Sequence, residues 1–306
     1  MSSFIIKRLL IAIPTLWLLI TLCFFLVRLA PGGPFDSERT LDPVIQQQIL
    51  ATYDLDKPLW QQYTQYLVNL LKGDLGPSFK YRDHRVNDLI AQGFPISLKL
   101  GLVAITLAII SGITIGTIAA WRKNSVIDHL IMAITMLGIA VPNFVKAPFF
   151  ILLLAIIWHW LPAGGWQPGE WKDMVLPVIA LGLAPMAVIA RLTRSNLIEV
   201  LHSPFIRTAK AKGLPLFTVL TRHALRPALL PVISYLGPAI AGIITGAVVV
   251  EHIFQIPGLG TFLVQGAINR DYTTVLGLVI LLGTFMIICN LMVDILYAWL
   301  DPTIRY

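Results

Sequence analysis

Six long apolar runs restrict this chain to a narrow class of folds. A hydrocarbon layer about 30 Å thick is crossed by a helix of about 17 to 25 apolar residues, because unpaired backbone groups are too costly inside lipid. The chain is 57% hydrophobic and 13% charged, whereas soluble domains carry about 25% charged residues. We therefore predict an all-α polytopic membrane protein with six transmembrane helices, at roughly residues 9–29, 98–120, 130–158, 174–193, 228–250 and 275–299.

The first run resembles a signal peptide but is too long for one. It follows Lys7 and Arg8 and extends from Leu9 to Val27, beyond the roughly 7 to 15 apolar residues of a signal peptide. The residues at 28–31 form a poor cleavage site because they lack the small-residue pattern. We interpret this run as an uncleaved signal anchor.

The third run is interrupted near its middle. Pro142, Asn143, Lys146 and Pro148 all lie there, and each proline frees a carbonyl group that neighbouring helices or water must satisfy. We predict a kinked helix packed inside a bundle. Two interpretations of Lys146 stay open: with Asn143 it faces a polar pathway, or it extends toward a membrane edge.

Orientation follows from the distribution of Lys and Arg, because short basic loops remain in the cytoplasm. The N-terminus, the loop at 122–123 and the stretch 191–226 are basic, and the segment 30–97 is mixed or acidic. We expect both termini to be cytoplasmic. The net charge of +7 arises from these loops, so we discount binding of nucleic acid.

Motifs for catalysis are absent from the sequence. There is no phosphate-binding loop, no zinc-binding H-E-x-x-H pair and no nucleophile elbow. The six histidines are scattered singly, and Cys23 and Cys289 lie in apolar runs as small fillers. We therefore predict no catalytic site and no metal site. An ion-coupled transporter needs ionisable groups inside the membrane, and Asp294 is the clearest acidic candidate.

Glycines four residues apart mark two of the runs. Gly112 and Gly116 lie in the second run, and Gly242 and Gly246 lie in the fifth. Such pairs let helix backbones approach closely. They favour a helix bundle and say little about function.

The segment 30–97 contains an amphipathic helix. Trp60, Tyr63, Leu67 and Leu70 recur at helical spacing between Leu59 and Leu71, and a Gly-Asp-Leu-Gly-Pro sequence at 73–77 ends the helix. Three roles stay open for it: packing on a sister subunit, lying on the outer membrane surface, or receiving a soluble partner.

The basic stretch between the fourth and fifth runs predicts two short helices. One covers about 204–212 with Gly213 as its cap, and the other covers about 215–225 and ends before Pro227. A short basic helix between two spans suits docking into a groove on a cytoplasmic partner. An ordinary positively charged loop is the alternative.

Residues 207–213, Arg-Thr-Ala-Lys-Ala-Lys-Gly, resemble the coupling loop of ABC-importer permeases of the peptide and nickel branch. Gly213 keeps its place in the general pattern, while Arg207, Thr208 and Ala209 replace its Glu-Ala-Ala. The likeness extends over the whole chain, including 73–78, 251–260 and the tail 294–306. It is strongest to the membrane subunits of bacterial oligopeptide permeases.

The resemblance implies a type I ABC importer permease fold in the bacterial inner membrane. Residues 1–97 then form a signal-anchor helix with an external segment, and residues 98–306 form a five-helix permease core with a coupling loop at about 194–227. The implied partners are a second homologous permease subunit, two ATPase subunits that hold ATP and Mg, and an extracytoplasmic peptide-binding protein. This chain itself is expected to bind no cofactor.

The resemblance also implies which residues act. The coupling loop that contacts the ATPase comprises Phe205, Arg207, Thr208, Ala209, Lys210, Ala211, Lys212, Gly213 and Leu214. The external mouth near the binding protein is expected to include Glu251, Phe254, Pro257, Gly258 and Gly260. The substrate is expected to be an oligopeptide. The alternatives are a permease of the same branch for dipeptides, nickel or another small solute, and an ion-coupled secondary transporter.

Overall fold

Helices account for the regular structure of the described residues, which are 2–29, 55–81 and 83–300 in this computed structural model. The remaining pairing among them is an isolated antiparallel bridge between Pro77 and Arg85. The first part of the predicted external segment, residues 30–54, and the tail at 301–306 lie outside the described residues.

Five helices are long and apolar enough to cross a membrane, and a bent helix pair makes six. The predicted all-α fold with six candidate spans is therefore confirmed. The long helices are α1 (Ser2–Leu29), α3 (Val86–Trp121), α6 (Lys172–Leu201), α10 (Leu230–Ile253) and α12 (Tyr272–Leu300). The shorter ones are α2 (Leu59–Leu71), α4 (Val126–Ala140), α5 (Asn143–Phe150), α7 (Pro204–Ala211), α8 (Leu216–Thr218), α9 (Leu225–Ala228) and α11 (Leu259–Ile268).

The third run is broken rather than kinked, so the predicted single helix is wrong. Helix α4 and the helix from Asn143 to Ile157, whose second half is a π-helix, meet at an angle of 109°. Val141 has an extended backbone, with φ −88° and ψ 121°, because the ring of the following Pro142 disfavours a helical conformation there. The chain therefore turns sharply at the first proline instead of bending through it.

One compact unit contains Ser97–Ile256 and the part of α12 from Met286 onward. Helix α6 packs there against α3 at small residues. A Cβ atom added to Gly112 would lie 2.8 Å from the Met186 carbonyl oxygen, and one added to Gly116 would lie 2.8 Å from the Thr193 Cβ. The predicted role of this glycine pair in close helix packing is confirmed. Gly242 is different, because an added Cβ would meet no atom within 4 Å.

The other compact unit contains Leu9–Ile96 and Pro257–Phe285. In it, helix α2 packs on its own chain, since Tyr63 and Tyr66 lie against a buried cluster around Phe24. The Thr21 and Tyr63 hydroxyl groups are 2.7 Å apart, and Arg28 Nε donates to Gln62 Oε1 over 2.9 Å. Burial raises the pKa of the Tyr66 hydroxyl above its ordinary value. Helix α2 therefore packs against its own subunit, and the three roles left open for it, including packing on a sister subunit, stay predictions.

Asp271 fixes the start of α12 in this second unit. Its fully buried carboxylate accepts bonds from the Thr274 backbone N–H at 3.2 Å and the Thr274 hydroxyl at 2.7 Å. It also accepts from the Ser78 hydroxyl at 2.5 Å and the Phe79 N–H at 3.1 Å. Asp271 thus caps the helix and ties the Gly-Asp-Leu-Gly-Pro-Ser segment at 73–78 to it.

Candidate coupling surface

Helix α7 begins and ends where its local sequence dictates. Pro204 occupies the first turn, where its missing N–H costs nothing. Gly213 has φ +76°, its N–H donates to the Lys210 carbonyl at 2.9 Å, and the Leu214 N–H donates to the Ala209 carbonyl at 3.4 Å. This pair of bonds is a Schellman cap, which favours glycine at the left-handed position. The predicted helix and its glycine cap are confirmed.

One side of α7 is anchored in the protein. Ile206 is fully buried and Ala209 is 8% exposed. Both residues pack in an apolar cluster formed by the ends of α3 and α6, the π-helix Val219–Ala224, and α9. The other members of this cluster are Ala120, Leu197, Val219, Leu220, Ala224 and Ala228. Helix α7 is therefore held as part of a rigid body rather than suspended in a flexible loop.

The opposite side of α7 and the start of α8 form an exposed surface that we call the coupling surface. Four of its side chains are apolar, and their exposed fractions are 49% for Phe205, 36% for Leu214, 46% for Leu216 and 77% for Phe217. The remaining members are Arg207, Thr208, Lys210, Ala211, Lys212 and Gly213, all exposed. Contiguous apolar patches rimmed by polar groups are typical of protein interfaces.

The structure modifies the predicted residue set in two respects. Ala209 faces inward, so it supports the coupling surface and does not belong to it. Leu216 and Phe217 belong to the surface, although the sequence analysis named neither. The sequence contained a signal for them, because two large apolar residues directly follow Pro215 at the start of the second short helix of a basic loop.

An ion pair that the sequence analysis missed links α4 to α6. Arg194 Nε lies 2.5 Å from Asp128 Oδ1, and its terminal nitrogen lies 2.6 Å from Oδ2. Asp128 is 1% exposed and also accepts from the Asn124 N–H at 2.9 Å. From the sequence alone, Arg194 is only one of several basic residues in the stretch 191–226. The pair fixes the start of α4 against the same helix that leads into α7.

The residues predicted for an external mouth are mostly buried. Glu251 is 0% exposed and Phe254 is 1% exposed at the end of α10, and the Phe254 carbonyl accepts from the Gly165 N–H at 2.8 Å. Gly258 and Gly260 are also buried, at the start of α11, and Pro257 is exposed. Their assignment to a mouth stays a prediction.

Lys146 is buried beside the end of α4. It is 6% exposed, and its ammonium group donates to the Gly138 carbonyl near the end of α4 at 3.1 Å. A positive charge is stabilised at that end of a helix. Asn143 packs against Gly246, where an added Cβ would lie 2.7 Å from its amide nitrogen. The role of these two residues in a pathway stays a prediction.

Within the described ranges, no three His, Cys, Asp or Glu side chains form a cluster that could hold a metal ion, and Cys23 and Cys289 are free thiols.

Comparison with known proteins agrees with this architecture. The model of the family "Binding-protein-dependent transport system inner membrane component" matches residues 112–306, and the corresponding N-terminal model matches residues 1–101. The oligopeptide transport system permease protein OppB of Haemophilus influenzae is 57% identical over the full length of both chains. OppB of Escherichia coli is 55% identical over both full lengths.

A dipeptide relative is more distant. The dipeptide transport system permease protein DppB of Bacillus subtilis is 43% identical over 100% of this chain and 98% of its own length. These matches confirm the ABC-importer permease family that residues 207–213 indicated. The chain therefore belongs to the family of binding-protein-dependent transport system inner membrane components and is a multi-pass protein of the bacterial inner membrane.

Proposed function

We propose that this chain is one transmembrane subunit of an ATP-driven ABC importer for oligopeptides. With a second, homologous permease subunit it forms the translocation path, and an extracytoplasmic binding protein delivers the peptide. The identity of 57% to an oligopeptide permease against 43% to a dipeptide permease supports the oligopeptide as substrate. The chain itself catalyses no reaction, and the partner ATPase subunits hold ATP and Mg.

The observation that carries this proposal is the coupling surface. Phe205 and Phe217 supply large apolar anchors, and aromatic anchors contribute most of the binding energy in typical interfaces. Arg207, Lys210 and Lys212 lie beside them and suit acidic side chains on an ATPase subunit. Electrostatic complementarity of this kind sets orientation and partner choice more than affinity.

Because α7 is stiff, it can transmit movement of the ATPase subunits to the membrane helices. Because Ile206 is fully buried, a force on the coupling surface displaces the apolar cluster beneath it. That cluster includes Ala120 at the end of α3 and Leu197 on α6. Nucleotide-driven closure of the ATPase subunits would therefore move both helices as a rigid body.

Uptake assays of a Gly213→Val variant test the coupling assignment. Gly213 has φ +76° and open space around an added Cβ, so a β-branched residue costs about 1–3 kcal/mol of backbone strain and changes the end of α7 alone. Gly73→Val is a matched control, because Gly73 also has φ +76° with no atom within 4 Å. We expect peptide uptake to fall at least about fivefold, the factor that corresponds to the lower end of that strain, for Gly213→Val only.

A charge reversal provides an independent test of the coupling assignment. Arg207→Glu should abolish peptide uptake and weaken co-purification of the ATPase subunits, while the protein stays in the membrane. Lys123→Glu changes the net charge equally in another predicted cytoplasmic loop and should leave uptake near normal. Normal uptake with both Gly213→Val and Arg207→Glu contradicts the coupling assignment.

The alternatives are separated by substrate and by subunit requirement. Growth on defined peptides of two to five residues, compared with nickel-limited growth, distinguishes an oligopeptide permease from a dipeptide or nickel permease. An ion-coupled secondary transporter predicts uptake by the purified chain alone in vesicles under an imposed proton or sodium gradient. The importer proposal predicts no uptake until the other subunits are added.

A further inference from the structure

A groove between helices α3 and α6 combines apolar walls with two opposite charges at one end. Its volume is about 510 Å³, within the range of about 300–1,000 Å³ that is usual for small-molecule sites. Val103, Leu107, Val175 and Ile179 line its walls, and Lys99 and Glu170 lie at its end. Neither the coupling surface nor the predicted external mouth uses this groove.

Helices α3 and α6 run in the same direction, because Ala104 lies beside Gly182 and Gly112 lies farther along beside Met186. Lys99 and Glu170, the leading charged residues of the two linings, therefore lie at the same end of the groove. A Cβ added to Gly182 would lie 3.2 Å from the Ala104 carbonyl oxygen, so the backbones are nearly in contact there. Lys99, Val103 and Leu107 follow each other at four-residue steps along one face of α3. The eight residue steps from Lys99 to Leu107 extend about 12 Å along the helix, from the charged end into the apolar walls.

Tryptophans surround the charged end. The Lys99 ammonium lies 5.8 Å from the centre of the Trp166 ring, and Trp171, beside Glu170, is 65% exposed. The Glu170 carboxylate accepts a long bond of 3.4 Å from the Lys172 N–H, which holds it near the start of α6. Tryptophan is enriched where lipid headgroups meet the hydrocarbon layer, so the charged end lies at headgroup depth.

We propose that this groove binds a single molecule of phosphatidylethanolamine. Its phosphate pairs with Lys99, its primary ammonium pairs with Glu170, and one acyl chain lies between Val103, Leu107, Val175 and Ile179. The spacing of charge and apolar surface matches a molecule that is charged at one end only. Basic and acidic groups together suit a zwitterionic headgroup better than an anionic one.

A peptide fits the same groove poorly. Every residue of a peptide carries a backbone N–H and C=O group, and burying these without partners costs free energy. The walls between the two helices are Val, Leu, Ile and Met side chains, which donate no hydrogen bonds to a peptide backbone. A lipid acyl chain has no such requirement.

Native mass spectrometry of the purified full-length chain tests the proposal with three lipids that share dioleoyl chains. The probes are phosphatidylethanolamine, phosphatidylcholine and phosphatidylglycerol. We expect the wild-type protein to retain phosphatidylethanolamine about threefold to fivefold better than the other two, the range that partly exposed charge pairs support. Phosphatidylcholine lacks N–H donors for Glu170, and phosphatidylglycerol lacks the positive charge.

Three variants and one control test the charged end and the apolar walls of the groove. Lys99→Gln should weaken retention of all three lipids about threefold or more, and the exposed Lys72→Gln should leave it unchanged. Glu170→Gln should abolish the preference for phosphatidylethanolamine over phosphatidylglycerol. Val175→Trp should fill the groove and lower retention of all three lipids alike.

Two results would overturn the proposal. One is equal retention of the three lipids by the wild-type protein, together with identical behaviour of Lys99→Gln and Lys72→Gln. The other is displacement of phosphatidylethanolamine by trialanine from the wild-type protein, which would assign the groove to the transported peptide.

Discussion

The ion pair between Asp128 and Arg194 provides the sharpest stability prediction. Two short bonds join the carboxylate and the guanidinium group, at 2.5 and 2.6 Å. The exposed fraction is 25% for the Arg194 side chain and 2% for Asp128. Replacing Arg194 with Ala therefore leaves a carboxylate that water barely reaches.

The expected loss follows from this burial. Removing one partner of a buried pair costs about 3–5 kcal/mol, because the other charge is left uncompensated. We expect Arg194→Ala to lie at the lower end, about 3 kcal/mol, because the Asn124 N–H still donates to Asp128 at 2.9 Å. The double variant Asp128→Ala/Arg194→Ala should lose less than the sum of the two single variants, since neither charge is then left unpaired.

Thermal unfolding in detergent, followed by tryptophan fluorescence, measures this loss. At roughly 2 °C per kcal/mol, Arg194→Ala should lower the unfolding midpoint by about 6 °C. Arg191→Ala, about one helical turn earlier and exposed, should lower it by less than about 1 °C, since exposed charges contribute little. Equal shifts for Arg194→Ala and Arg191→Ala would refute the assignment of a stabilising buried pair.

Two further predictions concern helix packing and capping. Gly116→Leu should prevent accumulation of folded protein in the membrane, because its Cβ would lie 2.8 Å from the Cβ of Thr193. Gly242→Leu should accumulate normally, because the space around Gly242 is open. Immunoblots of membrane fractions compare the amounts of the two variants. Asp271→Ala removes a buried charged acceptor, which costs about 3 kcal/mol, and should therefore lower the unfolding midpoint by about 6 °C. The control Asp56→Ala removes an exposed carboxylate and should leave the midpoint unchanged. Similar results for either variant and its control would contradict the respective contact.

Local sequence determined the elements that depend on neighbouring residues. The apolar runs predict the spans, because each spanning helix must by itself be long and apolar enough to cross the bilayer. Pro204 and Gly213 predict the limits of α7, because both act through backbone dihedral angles within one turn. Residues 207–213 also carried the family resemblance, which the full-length matches confirm.

The same local reasoning failed where a distant residue decides the outcome. Pro142 indicates a disruption, but the bend of 109° also depends on what packs against each half. The sequence also placed the start of the second span at residue 98, although helix α3 begins at Val86. A helix can begin before its apolar run, so hydropathy indicates the span but not the first helical residue.

The sequence by itself determined the number of candidate spans, the basic loop with its glycine-capped helix, and the family. Only the tertiary structure decided that Asp128 meets Arg194 across 66 positions and that Asp271 binds Ser78 across 193. It also decided which side of α7 is exposed and which residues of α3 and α6 line the groove beside Lys99. Periodicity and capping act within a few residues, whereas these pairings arise from helix packing, which places residues distant in sequence next to each other.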